Sequence, residues 1–306
     1  TPRGVPGHLM LWRAGEPLIG WPALWGDDGN NTPRWANTVV LGDQWLDRWR
    51  INLSLPRDDE HLVLNRFSKP VWTYITRDQR LIGYSPAESG WGGGLDLHGH
   101  TQTLYRHEGF ITAYETSPRF DYVAGDVSNA WTLAEMREGY RQVVYLRPDT
   151  VVIYDRILPG HEATSSALLF TTGEQTTAED SGFTVVSGSV GLRAVTLLPQ
   201  ALRVTLPSLP GGYQWKKQKL VRLEPAEATG EAIEYLTVLR TSAGAPPSLD
   251  ARLLRDESTV GVALTDTAGQ PVEVRFNRPG QPVGGEVVSG TGASATRHAL
   301  ADRIED

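Results

Sequence analysis

Tyr140-Arg141-Gln142-Val143-Val144-Tyr145-Leu146, the link Arg147-Pro148-Asp149-Thr150, and Val151-Val152-Ile153-Tyr154-Asp155-Arg156-Ile157 decide the fold. Both flanks are rich in β-branched and aromatic residues and the Pro-Asp pair between them is turn chemistry, so the stretch is a β-hairpin. Similar short runs recur on the N-terminal side at Gly15 to Ile19, Ala36 to Leu41, Leu62 to Asn65 and Trp72 to Thr76. They continue at Ser166 to Thr172, Thr184 to Val186, Arg193 to Leu198, Arg203 to Leu206, Lys219 to Leu223, Tyr235 to Thr241, Thr259 to Thr265 and Val272 to Asn277. Only Trp131 to Gly139 carries apolar residues at helical spacing over a long window. Short strands separated by polar turns give an all-β reading, a stacked antiparallel β-sandwich.

The stretch Ser242-Ala243-Gly244-Ala245-Pro246-Pro247-Ser248 has linker or long-loop composition. It divides the chain into a β-sandwich domain, 1–241, and a small C-terminal β extension, 242–306. Ser289 to Thr296, rich in Gly and Ser, is either a loose end or a final capping element. The chain has no internal repeat.

Composition narrows the function. With 26 aromatic residues, and 29 Lys and Arg against 36 Asp and Glu, the 306 residues can bury a sizeable core. The net charge of −7 has the wrong sign for holding phosphates, so no nucleic-acid partner is expected. No run approaches the roughly 18 apolar residues of a spanning helix, so no membrane partner is expected either. The first residues carry neither an initiator Met nor a basic-then-apolar leader, which reads as a processed product or a fragment. The absence of Cys excludes disulfides, Cys-ligated zinc and thiol nucleophiles, and is compatible with an exported bacterial protein, periplasmic or secreted.

Nucleophile-elbow, phosphate-loop and His-Glu-x-x-His motifs are absent, which weakens the nucleophilic-hydrolase and nucleotide-binding readings. Asp96-Leu97-His98-Gly99-His100 is the most metal-like run, because positions i, i+2 and i+4 of an extended strand share a face. Gly92, five residues and His98-x-His100 resemble the opening of the cupin metal motif, yet Leu104 and Tyr105 stand where its glutamate belongs. The run also follows Trp91-Gly92-Gly93-Gly94, loop composition that gives no shared face. No metal and no other cofactor is therefore expected, a divalent ion at Asp96, His98 and His100 being the alternative. His98, His100 and His107, with Tyr105 beside them, are the candidate proton-transfer residues.

Eight of the ten Trp residues lie in the first 91 positions. Aromatic faces stack on sugar rings, and Arg and Asn beside them bind hydroxyls and carboxylates. Trp21, Trp25, Arg13 and Asn37 are the candidate sugar contacts on this reading.

Three segments then fall in order: Gly109 to Glu115, Phe120 to Trp131 and Arg141 to Arg156. A glycine-led strand, a Tyr122-Val123-x-Gly125-Asp126 segment with Ala130 and Trp131, and an Arg-led hairpin ending in Asp155-Arg156 resemble the heparinase II/III-like polysaccharide lyase family. His8 to Leu18 is similar to a strand of that family. Trp35-Ala36-Asn37-Thr38 resembles its Ala-His-Asn-Thr segment, with Ala36 replacing the His. The resemblance covers roughly residues 1 to 175.

What the resemblance implies is a supersandwich-like stack that in the family sits behind an N-terminal helical toroid, with the sugar cleft between them. Family members cleave acidic, uronic-acid-containing polysaccharides by β-elimination. The toroid would be a partner domain in the same protein, and this chain alone an incomplete catalyst. Thr1 to Val5 and Gly20-Trp21 stand where the family often has metal-binding His and Asp, which again argues against a metal. Asp126 and Asn129 read as turn residues, and Asp155 and Arg156 as structural. The alternative is a non-catalytic carbohydrate-binding or structural module.

Overall fold

The computed structural model describes residues 9–20, 37–41, 72–75, 81–84, 110–128, 136–160, 165–173, 175–207, 218–226 and 232–304. The first strands are β1 (Leu11–Arg13), β2 (Glu16–Ile19), β3 (Val39–Leu41), β4 (Trp72–Ile75), β5 (Leu81–Tyr84), β6 (Phe110–Thr116) and β7 (Phe120–Asp126). Next come β8 (Met136–Leu146), β9 (Thr150–Pro159), β10 (Ser166–Gly173), β11 (Gln175–Glu179), β12 (Gly182–Ser187), β13 (Val190–Leu198) and β14 (Leu202–Thr205). The last are β15 (Gln218–Pro225), β16 (Ile233–Ala243), β17 (Ala251–Arg255), β18 (Thr259–Thr265), β19 (Pro271–Asn277), β20 (Gly285–Ser289) and β21 (Thr296–Leu300).

The hairpin read from the sequence is β8 and β9, paired from Leu146↔Thr150 through Val143↔Ile153 to Tyr140↔Arg156. It lies inside an eight-stranded antiparallel sheet ordered β11-β12-β13-β16-β9-β8-β7-β6. A six-stranded sheet, β1-β2-β10-β15-β14 with β3 also on β10, covers one face, and a five-stranded sheet, β17 to β21 in order, covers the other. β4 and β5 pair with each other as a separate ladder. The stacked antiparallel fold expected from the sequence is thus present as three layers.

Side-chain alternation explains the stacking. Along β9, Val151, Ile153 and Ile157 join the core shared with Leu18, Ile19, Leu168, Phe170 and Val221 of the six-stranded sheet. Val152 and Tyr154 point the other way, into a second core with Val260, Val262, Val274 and Phe276. Because successive residues of a strand face opposite sides, only a strand buried on both faces can be apolar at consecutive positions. Phe170 meets Phe183 across the first interface, with ring centroids 5.4 Å apart, and Tyr154 stacks on Phe276 across the second at the same separation.

One departure from the sequence reading stands out, and two loop-like stretches take definite form. Met136 to Gly139, within the window of helical spacing, belongs to β8: Met136 is buried, and the Gly139 amide donates to Ser128 Oγ at 2.9 Å while its carbonyl accepts from Val127 N. The stretch expected as a linker starts inside β16, and Gly244 N donates to Ser189 O at 2.6 Å. A Cβ on Gly191 would sit 2.4 Å from Pro246 N, so this crossing lies tight against β13. Ser289 to Thr296 connects β20 to β21 through a 3-10 turn at Gly292–Ser294. The expected strand at Leu62 to Asn65 lies outside the described residues.

Three phenols, Tyr122, Tyr154 and Tyr235, are wholly buried in these cores, and burial pushes each above the ordinary tyrosine value. Unfolded phenols ionise near pH 10. A folded value above the unfolded one means that stability is complete below about pH 10 and declines as pH rises beyond it. An absorbance titration is expected to show these three of the ten tyrosines ionising only as the chain unfolds. Ten phenols titrating as one class in the native protein would contradict this packing.

Candidate functional site

The residues proposed from sequence divide sharply. His98, His100, Tyr105, His107, Trp21 and Trp25 lie outside the described residues, as does Asp96. Arg13 and Asn37 are described, and both are tied to the interface between the six-stranded and central sheets.

Asn37 has no exposed surface. Its Nδ2 donates to Leu9 O at 2.6 Å and Gly20 O at 3.0 Å, and its Oδ1 accepts from Thr171 N at 2.5 Å. One amide therefore joins the chain before β1, the end of β2 and the middle of β10. Its own carbonyl accepts a short hydrogen bond from Arg141 Nη1. This side chain is a fastener inside the protein.

Behind Asn37 lies the Arg141–Asp155 pair. The two residues are direct cross-strand partners on β8 and β9, which puts both side chains on one face. Arg141 Nε reaches Asp155 Oδ1 at 2.6 Å and Nη2 reaches Oδ2 at 2.9 Å, in the two-pronged geometry that suits a guanidinium. Both residues are about 95% buried, so each charge depends on the other for its solvation. The structural reading of Asp155 holds. Asp126 is likewise a turn residue, since its Oδ1 accepts from Ser128 N at 2.8 Å. Asn129 lies outside the described residues.

Arg13, half-buried on β1, donates from Nη1 to Thr241 Oγ1 of β16 at 2.8 Å. Its neighbour Trp12 is 55% exposed. Being consecutive on an edge strand, Arg13 turns inward to the central sheet and Trp12 outward; Trp21 and Trp25 fall in sequence between β2 and β3.

Sequence reasoning missed a cleft of about 330 Å³ on the other side of the central sheet. Glu138 and Tyr140 of β8, Arg156 of β9 and Thr112 of β6 form one wall, and the β19–β20 loop and Asp302 form the other. The sequence showed Arg156 only as the end of a hairpin; which layer it faces depends on a register that composition does not reveal. Among the described residues, no group of three or more His, Cys, Asp or Glu is arranged to hold a metal, and no helix is long and apolar enough to cross a membrane.

Removing one partner from the buried pair should be costly. Asp155→Ala is expected to lower unfolding stability by about 3–5 kcal/mol in urea titrations, because it strands the Arg141 charge. Arg13→Ala, at a half-buried site with one hydrogen bond, is expected to cost about 1 kcal/mol. Equal effects would show that the pair does not hold the interface.

No protein-family model matches the sequence, and no curated protein matches it. Solved structures do match in fold. The heparan sulfate lyase HepC from Pedobacter heparinus aligns over 89% of this chain with a TM-score of 0.53 and 10% identity. A heparinase III gene product aligns over the same share with a TM-score of 0.53 and 12% identity, and a further heparinase III structure with 0.53 and 11%. The chain spans 35–36% of the length of these proteins. It shares a fold with part of each of these lyases.

Proposed function

We propose that this chain is the β-sandwich part of a polysaccharide lyase that cleaves uronic-acid-containing polysaccharide by β-elimination, completed by a helical toroid domain of the same protein. The observation that supports this best is the fold shared with heparan sulfate and heparinase III lyases over 89% of the chain. The sequence resemblance from Gly109 to Arg156 points the same way, and its Asp126, Arg141 and Asp155 each have a defined structural task.

The chemistry sets what the site must supply. A proton beside an ionised carboxylate is scarcely acidic, so a cation or hydrogen-bond donors must first neutralise the uronate. A base then takes the C5 proton, the C4–O4 bond breaks as the C4–C5 double bond forms, and an acid delivers a proton to O4. His98, His100, His107 and Tyr105 are the proposed proton carriers. Arg13 is the proposed carboxylate contact, its guanidinium matching the planar anion, and Trp21 and Trp25 are the proposed stacking faces. The reaction needs no metal in this scheme. A polymer substrate lies outside the cytoplasm, so the reading carries export to the periplasm or medium with it.

Ala36, where the related family pattern has His, favours a second reading: a module that binds sugar without cleaving it. The full-length protein, incubated with alginate, heparinoid and glucuronan, is expected to release an unsaturated product absorbing in the ultraviolet from at least one of them. His98→Ala and His100→Ala should lower that rate by about 100-fold or more without lowering the melting temperature. Binding without product would support the second reading, and a fall in melting temperature would make the histidines structural.

A further inference from the structure

Arg156 is 98% buried, yet its guanidinium is only partly used. Nη1 donates to Asn277 O at 3.1 Å and Arg278 O at 2.9 Å, which fastens the end of β19 to the central sheet. Nη2 lies 3.8 Å from Glu138 Oε1, an ion pair beyond hydrogen-bond reach. Nε has no hydrogen-bond partner, although a buried charged donor left unsatisfied costs free energy. The group lines the cleft between the central and five-stranded sheets, with its carbon centre 4.9 Å from the Tyr140 ring centroid.

The opposite wall is set by backbone geometry. Gly284, with φ +109, bends the β19–β20 loop back so that its amide donates to Gln142 Oε1 at 2.8 Å. That bend brings Gly280 to Val283 against β8 and β9 and leaves Gln281 and the exposed Asp302 at the cleft. The loop is therefore held from below by Arg156 and Gln142, and the cleft is a formed feature of the fold.

Its chemistry selects the occupant. Arg156 Nη2, which makes no hydrogen bond, can take an acceptor from the cleft, with the sealed Nε beside it as a reporter, and the carboxylates of Glu138 and Asp302 seek donors. Two carboxylates against one guanidinium leave the cleft net negative, which disfavours an anion. A hydroxyl both accepts and donates, and neighbouring hydroxyls on one ring can meet a guanidinium and a carboxylate together. The volume lies at the lower end of the range of about 300–1,000 Å³ typical of small-molecule sites, enough for one ring.

We propose that this cleft is a second carbohydrate site, taking a single neutral, hydroxyl-rich sugar unit between Arg156, Glu138 and Asp302. It lies across the central sheet from Arg13 and Asn37, and does not depend on the lyase reading. It would let the protein hold a neutral terminal residue of a saccharide.

The test is a titration of the chain with methyl β-glucopyranoside, followed through the Arg156 Nε–H signal in nitrogen-15 spectra. A saturable shift is expected, and Glu138→Gln and Asp302→Asn should each weaken binding by about tenfold or more. Both substitutions lie at partly or fully exposed positions, so the fold should survive them. Sodium glucuronate should bind more weakly than the neutral glycoside. An unmoved Nε–H signal, binding that both variants leave intact, or glucuronate binding as tightly as the glycoside would each overturn the proposal. Lyase assays bear on none of these outcomes.

Discussion

β9 sends Val151 and Ile153 to one face of its sheet and Val152 and Tyr154 to the other, and none of the four is more than 4% exposed. That single fact demands a protein layer on each side, because a sheet with one wet face alternates apolar and polar residues. β16 repeats the pattern, with Tyr235 and Leu239 turned to the first core and Leu236 and Val238 to the second. The six-stranded and five-stranded sheets are the covers. Each brings its own apolar face, and at roughly 25 cal/mol for each Å² of apolar surface removed from water, burying both faces is the largest favourable contribution.

Each interface also contains buried polar groups, and in each a cluster that ties the two layers together helps to set their register. Between the six-stranded and central sheets it is Asn37, Arg141 and Asp155. Between the central and five-stranded sheets it is Glu234, which accepts from Tyr154 OH at 2.7 Å and from Arg255 and Arg278 at 2.9 and 3.1 Å. Apolar contact tolerates sliding, whereas a desolvated charge with one correct partner does not. The clusters therefore fix how the layers sit, at the positions where the central hairpin ceases to be apolar.

Much of this was legible in the sequence. Thr259 to Thr265 was read to its exact bounds because β18 has a clear apolar run between turn residues, and Tyr235 to Thr241 falls inside β16. β11 and β21 were missed: both are sheet-edge strands with mostly exposed side chains, so no apolar pattern marks them. Met136 to Gly139 misled, since the window of helical spacing is short and a buried Met136 suits a strand as well as a helix. For function the limit is different. Asn37 looks like a sugar contact by residue type, and only its three main-chain partners show it to be internal. Arg156 looks structural by position, and only the β19–β20 loop reveals the cleft it lines.

A sheet sealed on both faces must be the most protected layer of the molecule. Native-state hydrogen exchange measured amide by amide tests this directly. β8, β9 and β16 are expected to exchange last, and only through global unfolding, while β1, β11 and β21 open locally and exchange earlier. If the β9 amides exchanged as fast as those of β21, the sheet would not be sealed on both faces, and the three-layer account would be contradicted.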